Sequence, residues 1–132
     1  MRQTGTGRIR VARVYDAPGP DDGARVLVDR LWPRGLKKDD AALHAWCKDI
    51  APSNELRTWY RHDPARYDEF AVRYRAELED DDHADALAAL RRLRDRRGLT
   101  LLTATKALDL SHAKVLAEVL TTPAGPSPSP PA

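Results

Sequence analysis

Ile9 to Tyr15 alternates Ile9, Val11 and Arg13 with Arg10, Ala12 and Val14, a period of two that predicts a strand with one better-buried face. The turn signals Pro18-Gly19-Pro20 and Asp22-Gly23 follow it. Arg25-Val26-Leu27-Val28-Asp29 is short, apolar and β-branched, the pattern of a strand covered on both faces. Leu43 to Ile50 admits a strand, although its alanines leave a helix open. From Pro52 the period changes. Ser53 is placed to cap a short helix running to about Arg61, and Asp63-Pro64 supplies an N-cap with proline at the first helical position for a longer one. Tyr67, Phe70, Ala71, Tyr74 and Leu78 then recur at helical spacing. A third helix starts near Asp82, turns Ala86, Leu87, Leu90 and Leu93 inward, and stops at Gly98. Leu99 to Ala104 reads as another buried strand, and Ser111 or Asp109 caps a last helix striped by Val115, Leu116, Val119 and Leu120.

Strands separated by helices predict a small α/β domain: a mostly parallel sheet with helices on its faces, three-layered and Rossmann-like but without the dinucleotide fingerprint. The domain spans residues 9–120. Thr4-Gly5-Thr6-Gly7 within residues 1–8 reads as a flexible lead-in, and residues 121–132, with five of the ten prolines, as a disordered or polyproline-like tail. A length of 132 residues favours one domain, and 42% hydrophobic residues suffice for a core. No apolar run approaches the ~20 residues of a membrane helix, and the first residues lack a secretory apolar segment, so a cytoplasmic protein is expected. Cys47 is the single cysteine, which excludes an internal disulfide or a multi-cysteine zinc site.

A net charge of +2 conceals segregation. Residues 1–38 carry nine basic and four acidic side chains, whereas residues 39–80 carry six and ten. Ligands of parallel sheets sit beyond the carboxyl ends of the strands, so the segments after the buried strands are the places to search. After Asp29 comes Arg30-Leu31-Trp32-Pro33-Arg34-Gly35-Leu36-Lys37-Lys38, with four cations in nine residues. Such a loop suits an anion, with Trp32 walling the pocket or stacking on a ring. Alternatively Trp32 seals the core while the arginines pair with local carboxylates such as Asp29. After Ala104 come Thr105-Lys106 and the helix start at Ser111-His112, where free N–H groups and a lysine suit phosphate. The positive helix end favours a neutral His112, able to act as a general base. Ser53 and Arg57 mark a further helix start that either completes the same cleft or forms an ordinary exposed face. The four histidines show no metal-ligand spacing, and no phosphate-binding glycine loop or cofactor motif is present.

The residues so collected resemble the YeaO-like family of bacterial proteins, grouped as domain of unknown function 488. The likeness rests on Asp29-Arg-Leu-Trp-Pro-Arg-Gly35 with Lys37-Lys38, Trp46 through Lys48 to Ala51-Pro-Ser53, and Glu55-Leu-Arg57. It continues through His62-Asp-Pro64, Phe70, Arg73-Tyr74, Glu77-Leu78, Leu99-Thr-Leu-Leu102 with Lys106, and His112-Ala113 with Val115-Leu116. It implies a small α/β fold in which these residues lie near one another, and it supplies no reaction. The expectation is a pocket of Arg30, Trp32, Arg34, Lys37, Ser53, Arg57 and Lys106 for a small anionic or phosphorylated ligand, with His112 as the proton-moving group if there is turnover. The competing expectation is a non-catalytic nucleic-acid-binding module that uses the basic N-terminal surface. No cofactor, metal or membrane partner is expected.

Overall fold

The structure is a computed structural model that describes residues 9–37 and 42–121. Four strands, β1 (Ile9–Arg13), β2 (Ala24–Leu27), β3 (Ala45–Trp46) and β4 (Leu99–Thr103), form one sheet in the order β1-β4-β2-β3, every neighbouring pair parallel. Between β3 and β4 lie a 3-10 turn at Lys48–Ile50, then α1 (Asn54–Tyr60), α2 (Tyr67–Glu77) and α3 (Asp81–Arg97), and α4 (His112–Thr121) follows β4. The expected α/β domain with a parallel sheet is therefore what the chain forms.

The caps read from the sequence hold. Ser53 accepts from Leu56 N and starts α1, and Asp63 caps a 3-10 turn at Pro64–Arg66 that leads into α2. Asp80 caps α3 by accepting from His83 N. Of the two candidates for the last helix, Ser111 takes the role, its hydroxyl accepting from Lys114 N and donating to Leu108 O. The segment Leu43 to Ile50 resolves into the two-residue β3 and the 3-10 turn, because only Ala45 and Trp46 pair with β2.

The helices do not cover both faces. Alternation along the strands sends Val26, Leu99 and Leu101 to one side, where they join buried residues from all four helices, including Leu56, Tyr74, Leu90 and Leu116. Leu27, Leu102 and Val14 point to the other side and meet Trp32, Leu36 and Leu43, none of them helical. The second apolar face is thus closed by loops where a helical layer was expected. Arg25, buried on that face, pins both loops: it donates to Asp22 Oδ2 (2.8 Å) and Asp16 O (3.2 Å) in the β1–β2 connection and to Ala42 O (3.2 Å) before β3. The Gly19 N–H and then the Arg25 guanidinium hold the Asp22 carboxyl below the ordinary carboxylate range. Chain direction accounts for the asymmetry. The steps β1 to β2 and β2 to β3 move one way across the sheet and the step β3 to β4 moves back, so a constant crossover hand puts their connections on opposite faces. The first two are short loops and the third carries the helices.

Lys38, the lead-in at 1–8 and the tail beyond Thr121 lie outside the described residues.

Candidate functional site

At the carboxyl ends of the adjacent strands β2 and β4 the chain departs in opposite directions, from β2 into the loop-covered face and from β4 towards α4 on the helical face. That divergence opens a crevice beyond the strand ends, where ligands of parallel sheets bind. Here it is a cleft of about 410 Å³, bounded by Asp29 to Pro33, Ala51-Pro52, α1, and the segment from Leu110 to His112.

Its floor is built on Asp29. Oδ1 accepts from Thr103 Oγ1 (2.7 Å) and Oδ2 from Ala104 N (2.8 Å), tying the end of β2 to the end of β4. His112, at the start of α4, places Nε2 3.0 Å from Val28 O and 3.5 Å from Asp29 Oδ1. A carbonyl oxygen can only accept, so Nε2 carries the proton and donates to Val28 O. Burial lowers the pKa of His112 against the opposing pull of Asp29 and the Val28 carbonyl, which keeps the ring neutral. Nδ1 is then the nitrogen with the lone pair, and no hydrogen bond to it is formed among the described residues. This ring and that of Tyr74 pack in a T-shaped contact, 5.9 Å between centroids.

One wall runs from Ile50, the last residue of the 3-10 turn, through Ala51 and Pro52 to Ser53, and its backbone polar groups are taken up by side chains from elsewhere in the fold. Ile50 O accepts from Tyr74 OH (2.6 Å), Ala51 O from His83 Nε2 (3.2 Å) and Pro52 O from Arg30 Nη2 (2.9 Å). Ser53 donates through N and Oγ to the two Glu77 oxygens (2.9 and 2.6 Å). Irregular backbone at a buried position needs such partners, so the strip is held as firmly as a strand without being one. Arg30 Nε, also buried, has no hydrogen-bond partner.

The sequence-selected residues divide. Arg30, Trp32, Arg57 and His112 border the cleft. Trp32 also seals the loop-covered face, donating from Nε1 to Leu36 O (2.8 Å) and packing edge-on against Trp46 at 5.3 Å. Arg57 projects from α1, one Nη bonded to Asn54 Oδ1 (3.2 Å). Arg34, Lys37 and Lys106 are exposed and do not border the cleft, the turn at Arg34-Gly35 facing outward. Ser53 is committed to capping α1 and to Glu77, which makes it a support of the wall. Thr105, part of the segment singled out after the last strand, borders the cleft; sequence reasoning did not place Tyr60 and His62 there, or Asp29 at its floor, yet the structure brings all three to it. For Asp29 a signal existed: a carboxylate directly after a buried strand must find donors, and the neighbouring strand end supplies them. Among the described residues, no group of three His, Cys, Asp or Glu is placed to hold a metal ion, and no helix is long and apolar enough to cross a membrane.

Comparison with known proteins gives the relationship. A family model described as the inactive DUF488-N3 subclade matches residues 8–126. The chain belongs to the YeaO-like DUF488 family. Among its relatives, the uncharacterized protein Rv3073c of Mycobacterium tuberculosis is 58% identical over 113 residues, 86% of this chain and 93% of the relative. The uncharacterized protein Mb3100c of Mycobacterium bovis matches to the same extent. The uncharacterized protein YeaO of Escherichia coli is 44% identical over 112 residues, 85% of this chain and 96% of the relative. No solved structure matches the chain. This DUF488 chain therefore has bacterial relatives of nearly its own domain length, and the cleft lies within the matched region.

Proposed function

We propose that this DUF488 protein binds a small anionic ligand, phosphorylated or carboxylated, in the cleft beyond β2 and β4, and that Arg30 and Arg57 supply the charge that holds it. The observation that carries the reading is that two guanidinium groups, Arg30 and Arg57, border one cleft beyond the strand ends. Arg30 is held at the cleft wall by its bond to Pro52 O, and guanidinium groups make strong charge-assisted hydrogen bonds to phosphate and carboxylate.

Binding without turnover is the form of this reading that the observations favour. The matched family model is described as inactive, and among the described residues no nucleophile activated by an adjacent base stands in the cleft beside His112. His112 acts here as an uncharged hydrogen-bonding group. The protein is proposed to work in the bacterial cytoplasm, in keeping with its single free thiol.

The test is a thermal-shift and calorimetric screen of the full chain against phosphorylated and carboxylated metabolites, with Arg30→Met beside the wild type. A ligand that stabilises the wild type should lose about tenfold or more in affinity in the variant. Equal affinity in both proteins contradicts the reading.

A further inference from the structure

We infer that the occupant of the cleft is an anion carried on a planar ring that also bears a hydrogen-bond donor. The inference rests on the anion-binding reading above and specifies the ligand's chemistry. Three features of the cleft impose it.

The first is volume and lining. At about 410 Å³ the space falls in the range of pockets for organic ligands, and a bare inorganic anion leaves most of it empty. Much of its boundary is apolar or aromatic: Trp32, Pro33, Pro52, His62 and Leu31, whose side chain is left 66% exposed at the rim. Rings of this kind favour a flat partner, stacked or edge-on.

The second is the separation of charge. Both cations stand by the wall formed by Pro52 and α1, Arg30 through its bond to Pro52 O and Arg57 from α1 itself. The floor carries the opposite sign, because Asp29 is fixed there as an acceptor of two hydrogen bonds. A ligand anion is drawn to the wall and repelled from the floor.

The third is the acceptor that His112 provides. Since Nε2–H is committed to Val28 O, the neutral ring offers only the Nδ1 lone pair, which pairs with an N–H or O–H and not with another acceptor. A ligand that spans the cleft thus meets donors at one end and acceptors at the other. Nucleoside monophosphates and hydroxy- or amino-substituted aromatic carboxylates share this chemistry in two sizes.

The experiment is calorimetric titration of the full chain with matched probes: inorganic phosphate, ribose 5-phosphate, guanosine, guanosine monophosphate, 4-hydroxybenzoate and 4-methoxybenzoate. One ring-bearing anion with a donor should bind about tenfold or more tightly than its ringless or uncharged counterpart. Whether the nucleotide or the benzoate wins identifies the source of the ring. The hydroxy compound should exceed the methoxy compound wherever the benzoates bind, which tests the acceptor without altering the buried His112. Ribose 5-phosphate binding as tightly as guanosine monophosphate, with no preference for hydroxybenzoate over its methyl ether, overturns the inference and leaves the anion reading standing. Guanosine as tight as its monophosphate, or no binding by any anion, removes both.

Discussion

At His83 both ring nitrogens face oxygens that can only accept, Asp80 Oδ1 at 2.7 Å and Ala51 O at 3.2 Å, so both carry protons and the ring is an imidazolium. Burial opposes that charge, but the Asp80 carboxylate, the Ala51 carbonyl and the nearby Glu77 outweigh it and raise the pKa above its ordinary value of 6.5. His112 is shifted the other way, below 6.5, by burial. The two residues therefore give stability opposite slopes against pH. For His83, whose folded pKa is raised, the contribution is complete below pH 6.5 and is lost as pH rises through the folded value. For His112, whose folded pKa is lowered, it is complete above pH 6.5 and is lost as pH falls towards the folded value. Urea midpoints measured from pH 5 to 9 should decline on both sides of a maximum near neutrality. His83→Gln should flatten the alkaline limb selectively; an alkaline limb unchanged in that variant contradicts the assignment of charge to His83.

Among the elements, those whose partners are near in sequence were the ones legible in it. Ser53, Asp63 and Gly98 mark helix ends through bonds within three or four residues, and each reads directly from the chain. β3 was ambiguous because two paired residues are fixed by the β2 edge and not by their own pattern. The loop-covered face could not be read at all. A strand facing loops and a strand facing helices show the same apolar run, and only the order of the strands decides which side the helices take. The candidate site divides in the same way. Arg30, Trp32 and Arg57 follow strand or helix ends and fall at the cleft, whereas the turn that sends Arg34 outward depends on contacts such as Tyr15 OH to Arg34 O, nineteen residues apart. Arg25 is where the loop face is most exposed to test. Arg25→Met removes the donor shared by both loops and leaves the buried Asp22 carboxylate with the Gly19 N–H (2.9 Å) and, as its nearest charge, the more distant Arg10 guanidinium at 3.5 Å. A loss of about 3 kcal/mol in urea denaturation is expected, the range for breaking a buried ion pair by removing one partner. A change below about 0.5 kcal/mol, the level of ordinary surface substitutions, means that the loops are held some other way.

Taken whole, the molecule spends its cations unevenly. Many of its arginines lie along helices and form exposed ion pairs, Arg73 with Glu69 within α2 and Arg75 with Glu118 between α2 and α4, or finish α3 at its negative dipole end. Those surface pairs contribute little, and their charges are screened by salt. Arg30 differs in standing beyond the end of β2 at the rim of a cleft that Arg57 also borders. That difference separates a local anion site from a basic surface that coats nucleic acid, and it predicts weak salt dependence compared with the steep loss expected of phosphate-backbone binding. The most direct measurement is nuclear magnetic resonance of the ¹⁵N-labelled chain titrated with inorganic phosphate, following the Arg30 side-chain Nε–H together with the backbone amides. The account predicts saturable shifts at Arg30 Nε–H and at the amides of Arg57, Thr105 and His112, with the rest of the spectrum unmoved. Shifts confined to the arginines at the end of α3, or an Arg30 Nε–H that does not respond, would contradict it.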